Sequence, residues 1–185
     1  MAGTRLTTAQ AAELMAQGGV VAYPTESCFG LGCDPADEAA VDRVLAIKGR
    51  ARAKGLILIG GAWTHLAPFM GELEPTVCQR LRDQWPGPVT FLVPPAPSVP
   101  PWIRGQHPRV ALRWTAHPGA AALCRAFGGA VVSTSANREG HPALRSAESV
   151  ATELGRAIDG IVEGPLGERA EPSAIIDALT GERLR

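Results

Sequence analysis

Apolar residues follow two patterns along the chain, and each pattern predicts a different secondary-structure element. Between Thr7 and Gln17 they recur at helical spacing, and Thr7 and Gln10 are placed as in a capping box, which predicts an amphipathic helix. The apolar run at 20–23 is typical of a buried strand. The same two patterns predict further helices at about 38–48, 75–85, 118–127 and 146–155, and strands at about 56–59, 89–93, 109–114, 130–134, 160–163 and 173–177.

The predicted strands and helices interleave, and this order is typical of the α/β class with a largely parallel or mixed sheet. A length of 185 residues suits one hydrophobic core, so we expect a single domain over 1–185. The proline-rich segment 94–101 is interpreted as an extended surface linker within that domain.

Composition excludes several classes of protein. The 18 Lys and Arg residues balance 18 Asp and Glu residues, which disfavours binding of a polyanion through net charge. The four cysteines are scattered, which favours free thiols in a reducing cytosol over a zinc site or a disulfide scaffold. No secretory signal is visible, and the charge-free stretch 86–103 contains seven prolines, too many for a membrane helix. We therefore expect a cytoplasmic protein with no membrane contact.

Three short polar segments adjoin predicted strands and are candidate ligand sites, because ligands collect at strand ends in open α/β sheets. They are 23–32 (YPTESCFGLG), 131–137 (VVSTSAN) and 171–177 (EPSAIID). Their hydroxyl and backbone N–H groups can donate hydrogen bonds to phosphate or sugar oxygens. Polar turns and helix caps account for the same residues, and composition alone leaves both interpretations open.

Both lysines of the chain lie in segment 48–55 (KGRARAKG), together with two arginines. Four cations so close repel one another unless they are solvated or offset by an anion. One interpretation is a phosphate clamp, with lysine as a point charge and arginine as a bidentate fork. The other is a solvated loop after a helix C-terminus. The retention of lysine in so arginine-rich a chain favours the clamp, and no Walker P-loop sequence occurs.

Signatures of hydrolytic catalysis are missing from the sequence. The four histidines lie in separate segments without a paired serine or carboxylate, and the GxSxG motif is absent. The four tryptophans are too dispersed to form a base-stacking strip.

Taken in order, the polar segments resemble the YrdC/TsaC family, the threonylcarbamoyl-AMP synthases. The matching motifs are YPTESCFGLG at 23–32, KGR at 48–50, GPVT at 87–90, VALR at 110–113, STSAN at 133–137 and PSAIID at 172–177. They cover almost the whole chain, which is similar to the short bacterial form of the family. The resemblance implies a YrdC-like fold, which is a twisted open mixed sheet with flanking helices and a concave face that holds the substrates.

The resemblance also implies a reaction. L-Threonine, bicarbonate or CO2, and ATP condense to threonylcarbamoyl-adenylate with release of pyrophosphate. The product supplies the N6-threonylcarbamoyl group of adenosine 37 in tRNAs that read ANN codons, through the transfer proteins TsaD, TsaB and TsaE. Direct tRNA binding is expected to be weak at most. Mg²⁺ is expected to arrive with ATP rather than on protein ligands.

The site residues of the family carry over to nine positions of this sequence. Lys48 and Arg50 are implied as the catalytic residues that hold the ATP phosphates, with Ser135, Asn137 and Arg185 as further nucleotide contacts. Thr25, Arg113, Ser133 and Ser173 are implied as the threonine pocket, with Arg113 at the threonine carboxylate. Three residues depart from the family pattern: Ala51 replaces a proline, Ile59 a threonine-contacting histidine of some members, and Ala174 a threonine.

Two other functional classes are alternatives. An RNA-binding module would use the cations of 48–55, but zero net charge and the lack of an RRM, KH or double-stranded RNA signature argue against it. A carbamoyl-transfer domain is the second, since hydrogenase-maturation proteins contain the same fold module within larger chains. Pyrophosphate release that requires threonine and bicarbonate distinguishes the synthase from both.

Overall fold

Nine strands form one sheet in the computed structural model, which describes residues 4–185. They are β1 Arg5–Leu6, β2 Val21–Pro24, β3 Phe29–Gly32, β4 Ile57–Gly60, β5 Val89–Val93, β6 Val110–Trp114, β7 Val131–Ser135, β8 Gly160–Val162 and β9 Ala174–Asp177. Their order across the sheet is β1-β8-β2-β3-β7-β4-β6-β5-β9. Residues 1–3 of the domain predicted over 1–185 lie outside the described residues.

The sheet is open and mixed, as predicted. β8 pairs in parallel with β1 and β2, β4 with β6, and β5 with β9. The antiparallel pairs are β2 with β3, β3 with β7, β7 with β4, and β5 with β6. β7 therefore lies in the middle of the sheet, where its polar C-terminal end is flanked by strands on both sides.

Helices flank both faces of the sheet. Those of the described residues are α1 Thr8–Ala16, α2 Glu38–Lys48, α3 Trp63–Leu66, α4 Pro75–Gln84, α5 Pro101–Arg104, α6 Pro118–Phe127 and α7 Ala147–Leu154. Within residues 4–185, none of them combines the length and the apolar character that crossing a membrane requires.

Each face of the sheet buries its own apolar cluster. Helices α1 and α6 pack on one face, against Ile59 and Val131. Helices α2, α4 and α7 pack on the other face, against Leu58 and Val132. Adjacent residues of a strand go to opposite clusters because successive side chains of a strand project to opposite faces. Burial on both faces explains why these strands are continuous apolar runs in the sequence.

Local stop signals fixed several predicted boundaries, whereas the shortest elements were missed. The predicted bounds of α2 and α6 are confirmed, because Gly49 and Gly128 end these helices in the left-handed conformation, with φ of 64° and 84°. Strands β1 and β3 and helices α3 and α5 were not predicted. The segment 94–101 is only partly a linker, since Pro95 forms a β-bridge with Met70 and α5 begins at Pro101.

Candidate active site

A cleft of about 290 Å³ opens beside the C-terminal end of β7. Ser133 and Ser135 line the cleft. They lie on the same face of β7 as Val131, which packs under α1 and α6, because alternate residues of a strand share a face. The cleft is thus a part of this sheet face that the two helices leave open. All nine positions implied by the family resemblance line it: Thr25, Lys48, Arg50, Arg113, Ser133, Ser135, Asn137, Ser173 and Arg185.

The hairpin of β2 and β3 brings Thr25 to the cleft. The Thr25 hydroxyl donates to the Cys28 carbonyl oxygen at 2.7 Å, and the Thr25 backbone N–H donates to the same oxygen at 3.0 Å. The segment 23–32 is therefore two paired strands around a closed turn, not one strand followed by a loop. β3 carries Gly32 because the Tyr23 ring lies across it, and a Cβ at Gly32 would stand 2.7 Å from Tyr23 Cε1.

Lys48, the last residue of α2, is almost completely buried in the cleft wall, with 4% of its surface exposed. Its Nζ donates to the carbonyl oxygen of Ser135 at 2.6 Å, and to the carbonyl and side-chain oxygens of Asn137 at 3.0 and 3.1 Å. Burial, followed by the nearby charge of Arg50, lowers the pKa of Lys48 to about 8. Lys48 therefore both lends charge to the cleft and ties α2 to the end of β7.

The cation cluster predicted at 48–55 divides between the cleft and the surface. Arg50 lines the cleft with Lys48, but Arg52 forms ion pairs with Glu38 and Asp42 of α2, at 2.7 and 2.5 Å. Lys54 forms an ion pair with Glu139. Of the four cations in segment 48–55, the two that match the family motif line the cleft.

Arg113 and Glu26 form a buried ion pair at the wall of the cleft. Arg113 Nη1 donates to Glu26 Oε2 at 2.8 Å, and Glu26 Oε1 accepts from the Thr115 hydroxyl at 2.8 Å. Burial would raise the pKa of Glu26, but the charge of Arg113 and the bond from Thr115 outweigh it, so that pKa is lowered. Within the described residues, Arg113 Nε is buried and has no hydrogen-bond partner.

Ser173 is held from two sides just before β9. Its Oγ lies 2.8 Å from the hydroxyl of Thr90, which is fully buried on β5. Its carbonyl oxygen accepts from Nε and Nη2 of Arg185 at 3.1 and 3.0 Å. These contacts bring two predicted residues together although neither Ser173 nor Arg185 lies within a strand.

The charges of the cleft favour an anionic ligand. Its lining contains five basic and three acidic side chains, namely Lys48, Arg50, Arg113, Arg169 and Arg185, and Glu26, Glu139 and Glu171. Two of these carboxylates are already engaged in the ion pairs described above. Within residues 4–185, no group of three or more His, Cys, Asp or Glu side chains is arranged to hold a metal ion. The cleft therefore offers cations and hydroxyls to a ligand, not a carboxylate cage.

Comparison with known proteins identifies the family. The model of the Sua5, YciO and YrdC proteins, described as "Telomere recombination", matches residues 13–185. The chain belongs to this Sua5/YciO/YrdC family. Among curated Sua5/YciO/YrdC relatives, the threonylcarbamoyl-AMP synthase of Nitrosococcus oceani is 49% identical over 175 residues, which are 95% of each chain. That of Cellvibrio japonicus is 51% identical, over 95% of this chain and 93% of its own.

A solved structure of the Sua5/YciO/YrdC family shares the fold. The P. abyssi Sua5 complexed with L-threonine superposes with a TM-score of 0.88 at 30% identity, over 97% of this chain. The match spans 54% of the P. abyssi chain, so this protein corresponds to about half of it. The predicted family membership and fold are confirmed, and membership at this identity makes the chain an enzyme of the nucleotidyltransferase type.

The three departures from the family pattern lie outside the cleft lining. Ile59 is fully buried in the cluster under α1 and α6, so an apolar residue satisfies its surroundings. Ala51 precedes the short 3₁₀ turn at 52–54, and Ala174 begins β9 with its N–H donating to the Pro88 carbonyl.

Sequence reasoning missed Glu26 and Thr90 as parts of the site. Both lie inside quoted motifs, at YPTE and GPVT, but their partners are 87 and 83 residues away in the chain. A charged or hydroxyl residue adjoining an apolar strand was the one signal available.

Proposed function

We propose that the chain is an L-threonylcarbamoyladenylate synthase, which forms threonylcarbamoyl-AMP and pyrophosphate from L-threonine, bicarbonate or CO2, and ATP. The observation that carries the proposal is the convergence of all nine implied residues on one cation-rich cleft. The names of the relatives from N. oceani and C. japonicus support it.

The wall around Arg113 suits L-threonine. The guanidinium of Arg113 offers donors to the amino-acid carboxylate, and Ser133, Ser173 and Thr25 offer hydroxyls to its polar groups. The threonine amine adds to the carbon of CO2 with loss of a proton, or displaces water from bicarbonate, to give a carbamate. This step needs orientation more than acid–base help, which suits a cleft whose lining includes no histidine.

The wall around Lys48 suits the triphosphate. A carbamate oxygen attacks the α-phosphorus of ATP, the bond to the β-phosphate oxygen breaks, and pyrophosphate leaves with the electron pair. Negative charge gathers on the leaving group, so the fixed cations Lys48 and Arg50 stabilise the transition state. Ser135, Asn137 and Arg185 contribute further polar contacts to the nucleotide.

Mg²⁺ belongs to the substrate in this proposal. The carboxylates Glu26 and Glu139 are engaged with Arg113 and Lys54, so the protein leaves them no role as metal ligands. Mg²⁺ that arrives with ATP would be held mainly by phosphate oxygens and water, and it would offset part of the phosphate charge.

The product is destined for the N6-threonylcarbamoyl group of adenosine 37 in tRNAs that read ANN codons, through TsaD, TsaB and TsaE in the cytoplasm. Direct tRNA binding is weak and sensitive to salt, because Arg52 and Lys54 already pair with carboxylates. A nanomolar tRNA complex that survives high salt would favour the RNA-module alternative instead.

Pyrophosphate release tests the proposal. The purified chain is incubated with ATP and Mg²⁺, with threonine or bicarbonate omitted in turn, and the adenylate product is identified by mass. Release should require both co-substrates. Equal pyrophosphate release without threonine would contradict the proposed function.

A further inference from the structure

The contacts of Glu26 indicate a functional role beyond lining the cleft. We infer that Glu26 is a positioning residue for threonine: its carboxylate holds the Arg113 guanidinium, which lines the cleft, in one orientation for the substrate carboxylate. The inference rests on the proposed function, since it concerns how the same site recognises one of its substrates.

The guanidinium of Arg113 is held by Glu26 through one of its nitrogens. Nη1 donates to Glu26 Oε2 at 2.8 Å, whereas Nε is buried and unpartnered within residues 4–185. A guanidinium presents its N–H donors as a rigid fork, which matches the two oxygens of a carboxylate. Arg113 lines the cleft, so its guanidinium can meet a ligand carboxylate while Glu26 holds Nη1.

Glu26 is itself held rigidly. Its Oε1 accepts from Thr115 Oγ1 at 2.8 Å and from the Ala116 N–H at 3.3 Å, while Oε2 accepts from Arg113. The Thr115 hydroxyl in turn accepts from the His117 N–H at 3.1 Å. Because both carboxylate oxygens and the Thr115 hydroxyl are paired, Glu26 is held in one arrangement, and its bond to Nη1 extends this constraint to the Arg113 guanidinium.

Only a carboxylate of this length satisfies both ends of the network, because donors face both of its oxygens. An amide at this position would turn its NH2 group either toward Arg113 Nη1 or toward the Ala116 N–H, and in each case two donors would meet. Aspartate lacks one methylene and cannot reach both partners from the same backbone. Glu26→Gln is therefore a nearly isosteric change that disrupts these hydrogen bonds and leaves the volume of the side chain nearly the same.

Kinetics with each substrate varied in turn test the inference. We expect Glu26→Gln to raise the KM for L-threonine by roughly 10- to 100-fold, because a hydrogen bond to a charged group contributes about that factor to affinity. The KM for ATP should be unchanged. Titration calorimetry with L-threonine alone should show the same loss of affinity. Glu163→Gln is the matched control, because Glu163 pairs with Arg5 at 3.4 Å outside the cleft.

Two further variants separate positioning from a merely structural role. Thr115→Val removes one support of Glu26 and keeps the ion pair, so it should raise the threonine KM by less than Glu26→Gln does. Arg113→Lys removes the guanidinium fork. In that background, Glu26→Gln should cause little further rise in the threonine KM. An unchanged threonine KM, an equal rise in both KM values, or the same rise in the Arg113→Lys background would overturn the inference. Wild-type protein that binds no threonine would contradict the proposed function instead.

Discussion

Lys48 Nζ lies 2.6 Å from the carbonyl oxygen of Ser135, which joins the last residue of α2 to the last residue of β7. Lysine ammonium groups are seldom buried unless they are paired, and this one has three close oxygen acceptors and no carboxylate among them. Its charge is therefore not neutralised by an ion pair, and it adds to the positive potential of the cleft.

Loss of this side chain should stop catalysis. Lys48→Ala removes a fixed cation from the place where charge gathers on pyrophosphate, and such a contact is worth roughly 10²–10³ in rate. The measurement is pyrophosphate release by the purified variant alongside its thermal midpoint. Arg52→Ala is the control, since it lies in the same cation segment but pairs with α2 outside the cleft lining. Near-wild-type turnover by folded Lys48→Ala protein would remove Lys48 from the mechanism.

The lowered pKa of Lys48 predicts how activity depends on pH. With a pKa of about 8, Lys48 loses its proton as pH rises through that value, and its attraction for phosphate goes with it. We expect kcat/KM for ATP to fall on the alkaline side, and Lys48→Arg to shift that fall to higher pH because arginine stays charged. An identical alkaline limb in Lys48→Arg would assign the titration to another group.

The lowered pKa of Lys48 also affects stability. Its contribution to the free energy of unfolding rises with pH, whereas activity falls. The pKa is about 8 in the folded chain and 10.5 as the ordinary lysine value. Between these values the unfolded chain binds more protons, so the free energy of unfolding gains a contribution as pH rises and loses it as pH falls through about 8. Burial raises the pKa of the Cys33 and Cys124 thiols to about 12, so these groups lower stability with pH across the same window. In urea melts, the free energy of unfolding of wild type minus that of Lys48→Met should therefore rise with pH between about 8 and 10.5.

The family resemblance pointed to residues that line one cleft because each of its motifs is a short contiguous stretch of sequence. Ser133 and Ser135 form the polar end of β7, and Asn137 follows shortly after it. Lys48 ends α2 and Arg50 comes two residues later, so each signal needs only a few neighbouring residues. α6 was predicted correctly for the same reason, since its start and stop are written in Pro118 and Gly128.

The missed features depend on residues far apart in the chain. β3 lacks the β-branched residues typical of strands because Gly30 and Gly32 leave room for the Tyr23 ring, which reaches the Val132 carbonyl on β7. The burial of Lys48 depends on Ser135, 87 positions away. Contacts of this kind leave no periodic signal in the sequence.

Substrate choice should depend on the methyl group of threonine. Ile57 and Pro88 give the lining an apolar part beside the serines, where a methyl group can be buried. One methylene-sized group is worth about 1–3 kcal/mol in a fitted pocket, so serine should be a poorer but detectable substrate. Comparing kcat/KM for the two amino acids measures the difference. Equal values would show that the pocket does not recognise the methyl group.

Thr90 should matter for threonine although it is completely buried. Its hydroxyl lies 2.8 Å from Ser173 Oγ, and Thr90→Val removes that partner at nearly constant volume, so Ser173 Oγ is free to rotate. One hydrogen bond is worth about 0.5–1.5 kcal/mol, and we expect kcat/KM for threonine to fall roughly 2- to 12-fold, with the KM for ATP unchanged.

The matched control for this change is Thr152→Val. The Thr152 hydroxyl also makes one hydrogen bond, to the Glu148 carbonyl at 2.9 Å, but on an exposed helix surface. Comparable stability loss in the two variants, with a threonine defect in Thr90→Val alone, identifies the hydroxyl pair as part of the pocket. A threonine kcat/KM for Thr90→Val equal to that of the control would mean that Ser173 keeps its orientation without help, through its carbonyl contact with Arg185.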